Sequence, residues 1–427
     1  MKTTAVILAA GKGTRMKSDE TKVLHKVCGV PMLGRVIDAC VKANIRDIVV
    51  VAGANIKELK AYIGPLSGRL KIRTALQKPQ LGTAHAVSAA LKTGGITGRA
   101  ALILSGDVPL VEPAAIRRMI NRFTKERCGG IIGTSRVENS YGYGRIVRDS
   151  SGNIRRIVEE KDALPKEKRI SEINGGIYLF DSGLLKRFIK KIKRNPLKKE
   201  FYLTDIVSIM ADNGLIIKAE TVAAEELAGI NDRVQLMQAS KNRNKKVLEK
   251  LAKNGITIVD FDTVFIDENV RIGRDTVIEP FTVIKGPSRI GGKCVIGPHA
   301  HIRPGTIIGH NCKIGNYTEI KNSKIGDGSS VAHLSYIGDA VLGRGVNIGA
   351  GTITANYDGK KKNRTVIGDR AYVGSNVVFV APVKAGRGTV IGAGSVITDN
   401  VPDGTLAIAR ARQVVKKRKK KKAGRKR

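Results

Sequence analysis

From Ile266 onward the chain keeps a beat of six. Apolar residues, mostly Ile, stand at 266, 272, 278, 284, 290, 296, 302, 308, 314 and 320, and the beat resumes at 367, 373, 379, 385, 391 and 397. Gly often follows the leading residue, as in IGRDTV, IGPHAH, IGHNCK and IGNYTE. A hexapeptide repeat with β-branched leaders predicts a left-handed parallel β-helix. Three hexads close one triangular coil, so equivalent residues of successive coils stack at about the strand spacing of 4.8 Å. Cys294 and Cys312 lie one coil apart and are expected to stack as small inward fillers. Five cysteines without a CxxC disfavour a disulfide framework or a zinc site.

The breaks in the beat are as informative as the beat. Steps of five occur from Ile320 to Ile325 and from Ile337 to Leu342, and the step from Thr354 to Ile367 is one hexad plus seven. The inserted loop holds Asn356-Tyr357-Asp358-Gly359-Lys360-Lys361-Lys362. A solenoid gains nothing by losing register, so these defects point to a site. His333 stands between the two short steps. An imidazole suits a general base at neutral pH, although a lone histidine is more often structural.

Residues 1–230 alternate strand and helix patterns. Apolar runs at Thr4–Ala9, Ile48–Ala52, Leu70–Leu76, Ala100–Leu104 and Gly130–Thr134 predict strands. Segments near Met32–Ala43, Ile56–Ile63, Thr83–Leu91 and Pro113–Lys125 predict helices. Such βα units imply a Rossmann-like, mainly parallel sheet covered on both faces. Ligands then bind beyond the carboxyl ends of the strands. There the first strand breaks into Ala10-Gly11-Lys12-Gly13-Thr14-Arg15, with Lys22 behind it. Glycines let backbone N–H groups approach an anion, and Lys or Arg supplies charge. The turn predicts a phosphate cradle, and G-x-G-T-R is neither the dinucleotide fingerprint nor a P-loop.

Ser105-Gly106-Asp107 emerges from another such strand. An acid there is a natural magnesium ligand, because Mg²⁺ prefers oxygen and keeps several waters. Asn231 offers a second oxygen, though Asn-Asp before a helix is also ordinary capping chemistry. Tyr143-Gly144-Arg145, Glu159-Glu160 and Glu172-Ile173-Asn174-Gly175-Gly176 place polar groups among strand-like residues, as a sugar pocket requires. Residues 231–254 read as a linker helix with Val234, Met237, Val247 and Leu251 as a partial apolar stripe. Residues 255–412 form the β-helix, and 413–427 a basic tail.

The formal charge is +39. Ten Lys or Arg and no acid fall between Lys416 and Arg427, and the body remains basic without them, at 66 against 37. A solvated lysine-rich surface accounts for this most simply. Weak affinity of the tail for nucleic acid or an anionic surface is the sharper alternative. No run approaches the roughly 18 apolar residues of a membrane span. The first apolar run feeds directly into a charged turn, so it reads as a strand and not a signal peptide, and a cytoplasmic location is expected.

LAAGKGTRM with its following Lys, GDVPL, YGYGRI, IVEEKDA, EIN, the linker helix and the hexads occur in one order. Up to about Arg412 this resembles the bifunctional N-acetylglucosamine-1-phosphate uridyltransferases/glucosamine-1-phosphate acetyltransferases. The resemblance implies two reactions of UDP-N-acetylglucosamine synthesis. The second half acetylates glucosamine 1-phosphate from acetyl-CoA. The first then transfers UMP from UTP to N-acetylglucosamine 1-phosphate with Mg²⁺, releasing pyrophosphate. By this likeness Arg15 and Lys22 hold phosphates, and Asp107 and Asn231 hold the metal. Leu8, Ala9, Ala10, Gly11, Ser105 and Gly106 frame the nucleotide. Gln77, Gly82 and Thr83 face the uracil, and Gly144, Glu159 and Asn174 meet the sugar. In the second half Arg303 and Lys321 bind the sugar phosphate, Tyr336 and Asn347 shape its site, and His333 takes the proton. Ala350, Asn356, Tyr357, Ser375, Ala393 and Arg410 serve acetyl-CoA. Family members are trimers with acetyl sites between subunits.

Three departures stand out. Thr21 replaces the usual proline before Lys22, which should present that lysine less rigidly. Ser105 replaces an aromatic. The stretch before Arg303 is shorter than usual by nearly two coils, as if the first coils were missing, with acetyl transfer expected to survive. Two other readings remain at this point. One is a nucleotidyltransferase whose β-helix only oligomerises it; the intact His333, Asn356-Tyr357 and Arg410 speak against that. The other is a non-catalytic assembly subunit resembling those of translation factors; the intact GxGTR and GDVP speak against that.

Overall fold

The computed structural model describes residues 1–68, 70–196 and 199–418. The end of the basic tail, from 419, lies outside the described residues. The chain forms two compact units, divided between Arg243 and Asn244.

In the first unit, strands β1 (Thr3–Leu8), β2 (Asp47–Ala52), β3 (Lys71–Leu76), β4 (Ala100–Ser105), β5 (Gly130–Arg136), β6 (Arg145–Arg148), β7 (Ile154–Val158), β8 (Glu172–Asp181) and β9 (Ile217–Thr221) build one sheet. Its main path runs β9-β5-β8-β4-β1-β2-β3. The pairs β1–β2, β1–β4, β2–β3 and β9–β5 are parallel, and β8 runs antiparallel between β4 and β5. β1, β2 and β4 are almost wholly buried, as continuous apolar strands covered on both faces must be. Helices α1 (Met32–Lys42), α2 (Ile56–Ile63), α3 (Thr83–Lys92) and α4 (Pro113–Lys125) follow their strands close to the sequence expectation. β1 lies between β2 and β4, so the turns after β1 and β4 open side by side at the carboxyl edge. That is where an open α/β sheet binds ligands.

The long helix runs from Arg233 to Lys253. The expected stripe is half correct. Val247 is buried and Leu251 packs on the solenoid core, whereas Val234 and Met237 are 71% and 47% exposed. Leu236 and Ala239 pack on Val27, Met32, Leu110 and Ile230 instead. Further along the same helix, Leu248 is wholly buried in the solenoid core. Asn244 caps the first coil, donating to the Val264 carbonyl at 2.8 Å and accepting from the Ile266 N–H at 3.0 Å.

The second unit is a triangular parallel solenoid with sheets of nine, eight and seven strands. Its inward residues stack in ladders, such as Ile278–Ile296–Ile314–Val331–Ile348–Val373–Ile391. Along this ladder two regular coils are followed by two that are each a residue short, then by the enlarged coil between Ile348 and Val373, then by a regular one. The two short steps and the insertion therefore fall in consecutive coils. Cys294 and Cys312 are buried, free and stacked, with the Cys312 N–H 3.5 Å from Cys294 Sγ.

Candidate functional sites

In the first unit the loops beyond β1, β3 and β4 enclose a cavity of about 1000 Å³. Leu8, Ala9, Ala10, Gly11, Arg15 and Lys22 line one wall, Gln77, Gly82 and Thr83 another, and Ser105, Asp107 and Asn231 the third. The backbone N–H groups of Ala10 through Thr14 donate to no acceptor among the described residues. Gly13 takes φ +64°, and a Cβ there would stand 2.6 Å from the Cβ of Lys22. Only glycine lets the cradle close on this lysine. The Lys22 ammonium pairs with the Asp107 carboxylate and donates to Asn231 Oδ1 at 2.9 Å. Arg15 Nη2 reaches the same amide oxygen at 2.9 Å. Ser105 Oγ donates to the other Asp107 oxygen at 2.5 Å, and the Gly106 N–H donates to the Leu8 carbonyl at 2.9 Å. Four of the expected groups thus converge on one point.

Gln77 Nε2 donates to the Gly82 carbonyl at 2.9 Å, and Thr83 Oγ1 accepts from the Leu203 N–H at 2.9 Å. The next residue, Thr204, donates to Glu159 at 3.1 Å, so this segment leads from the cavity wall to the expected sugar groups. Burial pushes the Glu159 carboxyl up, against the Thr204 hydrogen bond. Asn174 is re-aimed by a bulge: the β8–β5 register shifts between Asn174 and Tyr178. Gly176 there takes φ +69°, and a Cβ on Gly175 would lie 2.7 Å from the Gly133 carbonyl. Bulges of this kind turn a side chain out of its ladder. Asn174 donates to the Tyr178 hydroxyl at 2.7 Å, and its N–H donates to the Gly144 carbonyl at 2.8 Å. Thr21 holds φ −52°, a proline-compatible value, and its hydroxyl bonds to Glu58. The hydroxyl thus anchors Lys22's neighbour in the place of a ring.

The second unit arranges its candidates in columns along the corners of the triangle. His333, Ala350, Ser375 and Ala393 each stand two places beyond an inward residue of one ladder (Val331, Ile348, Val373, Ile391). They therefore occupy successive steps of one corner. Gly394, next to Ala393, faces the Arg410 stem: a Cβ on it would be 3.8 Å from Arg410 Cδ. His333 is exposed and in register with Asn316, whose amide oxygen is buried without a partner among the described residues. Asn347 faces outward on the same sheet, between Ser330 and Tyr372.

Around the triangle, Arg303 donates to Glu319 at 2.8 Å, a contact that raises its pKa. Contact with the Lys362 ammonium depresses the pKa of Lys321, helped by desolvation. Lys321, Lys362 and Arg303 thus concentrate positive charge there. Asp339, 9% exposed, accepts from Asn322 at 2.5 Å and from Asn356, and so pins the root of the inserted loop. Tyr336 faces outward in register with Glu319. Tyr357 is 62% exposed and donates only within its own loop, to the Gly359 carbonyl at 2.7 Å.

The first unit matches the nucleotidyl transferase family over residues 4–219, and residues 284–385 match the GMPPB C-terminal domain family. Curated relatives span both units. The bifunctional protein GlmU of Carboxydothermus hydrogenoformans is 44% identical over 96% of this chain and 98% of its own length. Those of Caldanaerobacter subterraneus subsp. tengcongensis and Thermoanaerobacter pseudethanolicus are 43% and 44% identical, over 96% of this chain and of their own. The chain belongs to the bifunctional GlmU family. It is an enzyme of UDP-N-acetylglucosamine synthesis, both a uridyltransferase and an acetyltransferase. The alignment with the Carboxydothermus GlmU spans 445 positions, more than the 427 residues of this chain, so that relative carries residues missing here.

The sequence reading passes over the roles of three groups that the geometry brings forward. Lys362 joins Lys321, but a run of three lysines in a loop does not say which one turns inward. Asp339 reads in sequence as a turn aspartate, and nothing there links it to Asn356. Arg145 is 2% exposed and ties the Tyr143 carbonyl to Glu160, which fixes Gly144 relative to Glu159. The sequence places it in the YGYGRI motif but does not show that its guanidinium ties that motif to Glu160.

Proposed function

We propose that uridyl transfer occurs in the cavity of the first unit and acetyl transfer on the corner column of the second. In the first, the unpaired N–H groups of Ala10 to Thr14 and the Arg15 guanidinium receive the phosphates of UTP. Gln77, Gly82 and Thr83 bound the uracil. Gly144, Glu159 and Asn174 hold the sugar hydroxyls, and Leu8, Ala9 and Gly106 form the floor. A phosphate oxygen of the sugar attacks the α-phosphorus in line as pyrophosphate leaves. Positioning and charge neutralisation are what such a transfer needs. Entry of the nucleotide offers Lys22 a phosphate in place of the Asp107 carboxylate.

Asp107 and Asn231 would hold Mg²⁺, which supplies charge neutralisation at the phosphates. The residues fit: their oxygens already converge on one cation, the Lys22 ammonium. Among the described residues no cluster of three or more His, Cys, Asp or Glu could hold a metal. One carboxylate and one amide suit an ion that takes few protein ligands beside phosphates and water.

In the second unit Arg303, Lys321 and Lys362 bind the phosphate of glucosamine 1-phosphate, and Tyr336 and Asn347 shape its sugar site. His333 takes the proton as the amine attacks the thioester carbonyl, and the coenzyme leaves as a thiol. Ala350, Ser375, Ala393 and Arg410 track the coenzyme, with Asn356 and Tyr357 supplied by the inserted loop. The single observation that carries this reading is the shared column, which strings the general base and the coenzyme residues along one corner. One place beyond it runs an exposed ladder. The rings of Phe281, His299 and Tyr317 stack at 4.8 Å. Phe281, Tyr317 and, next to His333, Leu334 are 55%, 58% and 63% exposed. An apolar rim beside an open site supports a homotrimer that completes it. The absence, among the described residues, of a helix long and apolar enough to cross a membrane is compatible with a cytoplasmic location.

The test has two arms. UTP, Mg²⁺ and N-acetylglucosamine 1-phosphate should yield pyrophosphate; acetyl-CoA and glucosamine 1-phosphate should yield free thiol. Asp107→Ala should lower only the pyrophosphate signal, by roughly 10²–10³. A parallel fall in thiol release would refute the division.

A further inference from the structure

We propose a third anion site on the solenoid, one that takes a diphosphate group. It lies where strands Val270–Ile272, Ser288–Ile290 and Ile307–Ile308 run side by side. Arg271 and Arg289 face outward there in direct register. Among the described residues they are the only like-charged pair in register in the solenoid's three sheets. Like charges directly opposite on neighbouring strands are destabilising, and two other arginines of this unit are relieved by acids. Arg303 has Glu319, and Arg387 has Asp403. Neither Arg271 nor Arg289 has an ion pair or a side-chain hydrogen bond among the described residues. The buried acid of the same coil, Asp267, is engaged with the Gly286 N–H and with Lys285.

The two guanidinium groups overlook a trough of about 520 Å³. Asn269 stands at one end with an amide, and Ile307 forms an apolar floor at the other. Arginine binds phosphate through a planar fork. Two forks spaced by one strand separation, about 4.8 Å, suit two linked phosphate groups better than one. The trough is large enough for a small molecule attached to them. Inorganic pyrophosphate and the diphosphate of a nucleotide or nucleotide sugar share this chemistry. The site shares no residue with either reacting site, so it does not depend on how those are assigned.

Calorimetric titration of the full chain with inorganic pyrophosphate tests it. Two binding events per chain are expected, one in the nucleotide cavity and one here. Arg271→Ala with Arg289→Ala should remove one event, weakening it at least tenfold, while pyrophosphate release from UTP and thiol release stay unchanged. Arg271→Lys with Arg289→Lys keeps the charge and loses the forks, and should recover only part of the affinity. UDP should compete for the second event if its source is a nucleotide, and leave it untouched if the source is pyrophosphate alone. Unchanged stoichiometry in the alanine variant, with an unchanged melting temperature to show that it folds, overturns the proposal. So does orthophosphate binding as tightly as pyrophosphate, or a single-stranded DNA oligonucleotide displacing pyrophosphate at lower concentration than UDP. The last result would mark a general polyanion surface.

Discussion

On the proposed assignment, the two units hold a phosphorylated sugar in opposite ways. The first encloses its site within one chain, because strand order reverses at β1 and the loops on either side rise as walls. The second has no inside to offer. Its interior is filled with Ile and Val, and its candidates stand on corners and outward faces, where His333 and Tyr357 are exposed. A solenoid offers shallow troughs between its coils, and gains a deeper site by bending them, by inserting a loop or by meeting another copy. This one loses register in consecutive coils and carries an enlarged coil between Ile348 and Val373. Where a fold supplies concavity, the sequence changes little. Where it does not, the candidates for acetyl transfer gather where the repeat is broken.

The largest effect that could break this contrast is His333→Ala. It should cut thiol release by roughly 10²–10⁴ and leave pyrophosphate release as it was. Loss of both would mean that the sites are not independent. Dilution comes next. If the second site is completed by another copy, specific acetyl transfer should fall as the oligomer dissociates, while uridyl transfer per chain holds constant. Equal behaviour of the two activities across the dissociation range, followed by light scattering, would remove the contrast. Lys362→Ala should raise KM for glucosamine 1-phosphate about tenfold, or about 1.4 kcal/mol, with little change in kcat.

The smallest effect is a titration. Burial raises the folded-state pKa of Glu159, so the folded chain holds that proton more tightly than the unfolded one. The stability gained this way is present below the unfolded value and is lost as pH rises through the folded value. Glu159→Gln removes the ionisable group and should raise the melting temperature at pH 7. The difference should shrink toward pH 4. A gap that widened on acidification would show that Glu159 is stabilised as a carboxylate.

Periodicity makes the solenoid legible, down to the coils in which its register fails, because an inward residue every sixth place leaves no freedom in the fold. The phosphate turn is legible because few turns combine two glycines, an arginine and a following lysine. The long helix is less so. Helical period gives the spacing of a face but not its phase, and in a lysine-rich helix Val234 and Met237 look as good as Leu236 and Ala239. Lys362 and Asp339 are hidden for another reason. Their neighbours come from other coils, and one sequence does not reveal which lysine of three an inserted loop turns toward Lys321. The pairing of Lys22 with Asp107 is likewise a three-dimensional fact, since 85 positions separate them.

The regular early coils have a consequence for how such a protein varies in length. From Ile278 through Ile296 to Ile314 every coil is three full hexads, so a whole coil can be added or removed there while every later side chain keeps its face. The chain is lengthened or shortened like a ruler, by about 4.8 Å a step. Removal of a single residue is instead absorbed at one corner, as in the two coils from Ile314 to Val331 and from Val331 to Ile348, and displaces the side chains beside that corner. Natural insertions and deletions before Ile314 should therefore come in whole coils. A circular-dichroism and activity series of one-coil additions would read the same rule in the laboratory.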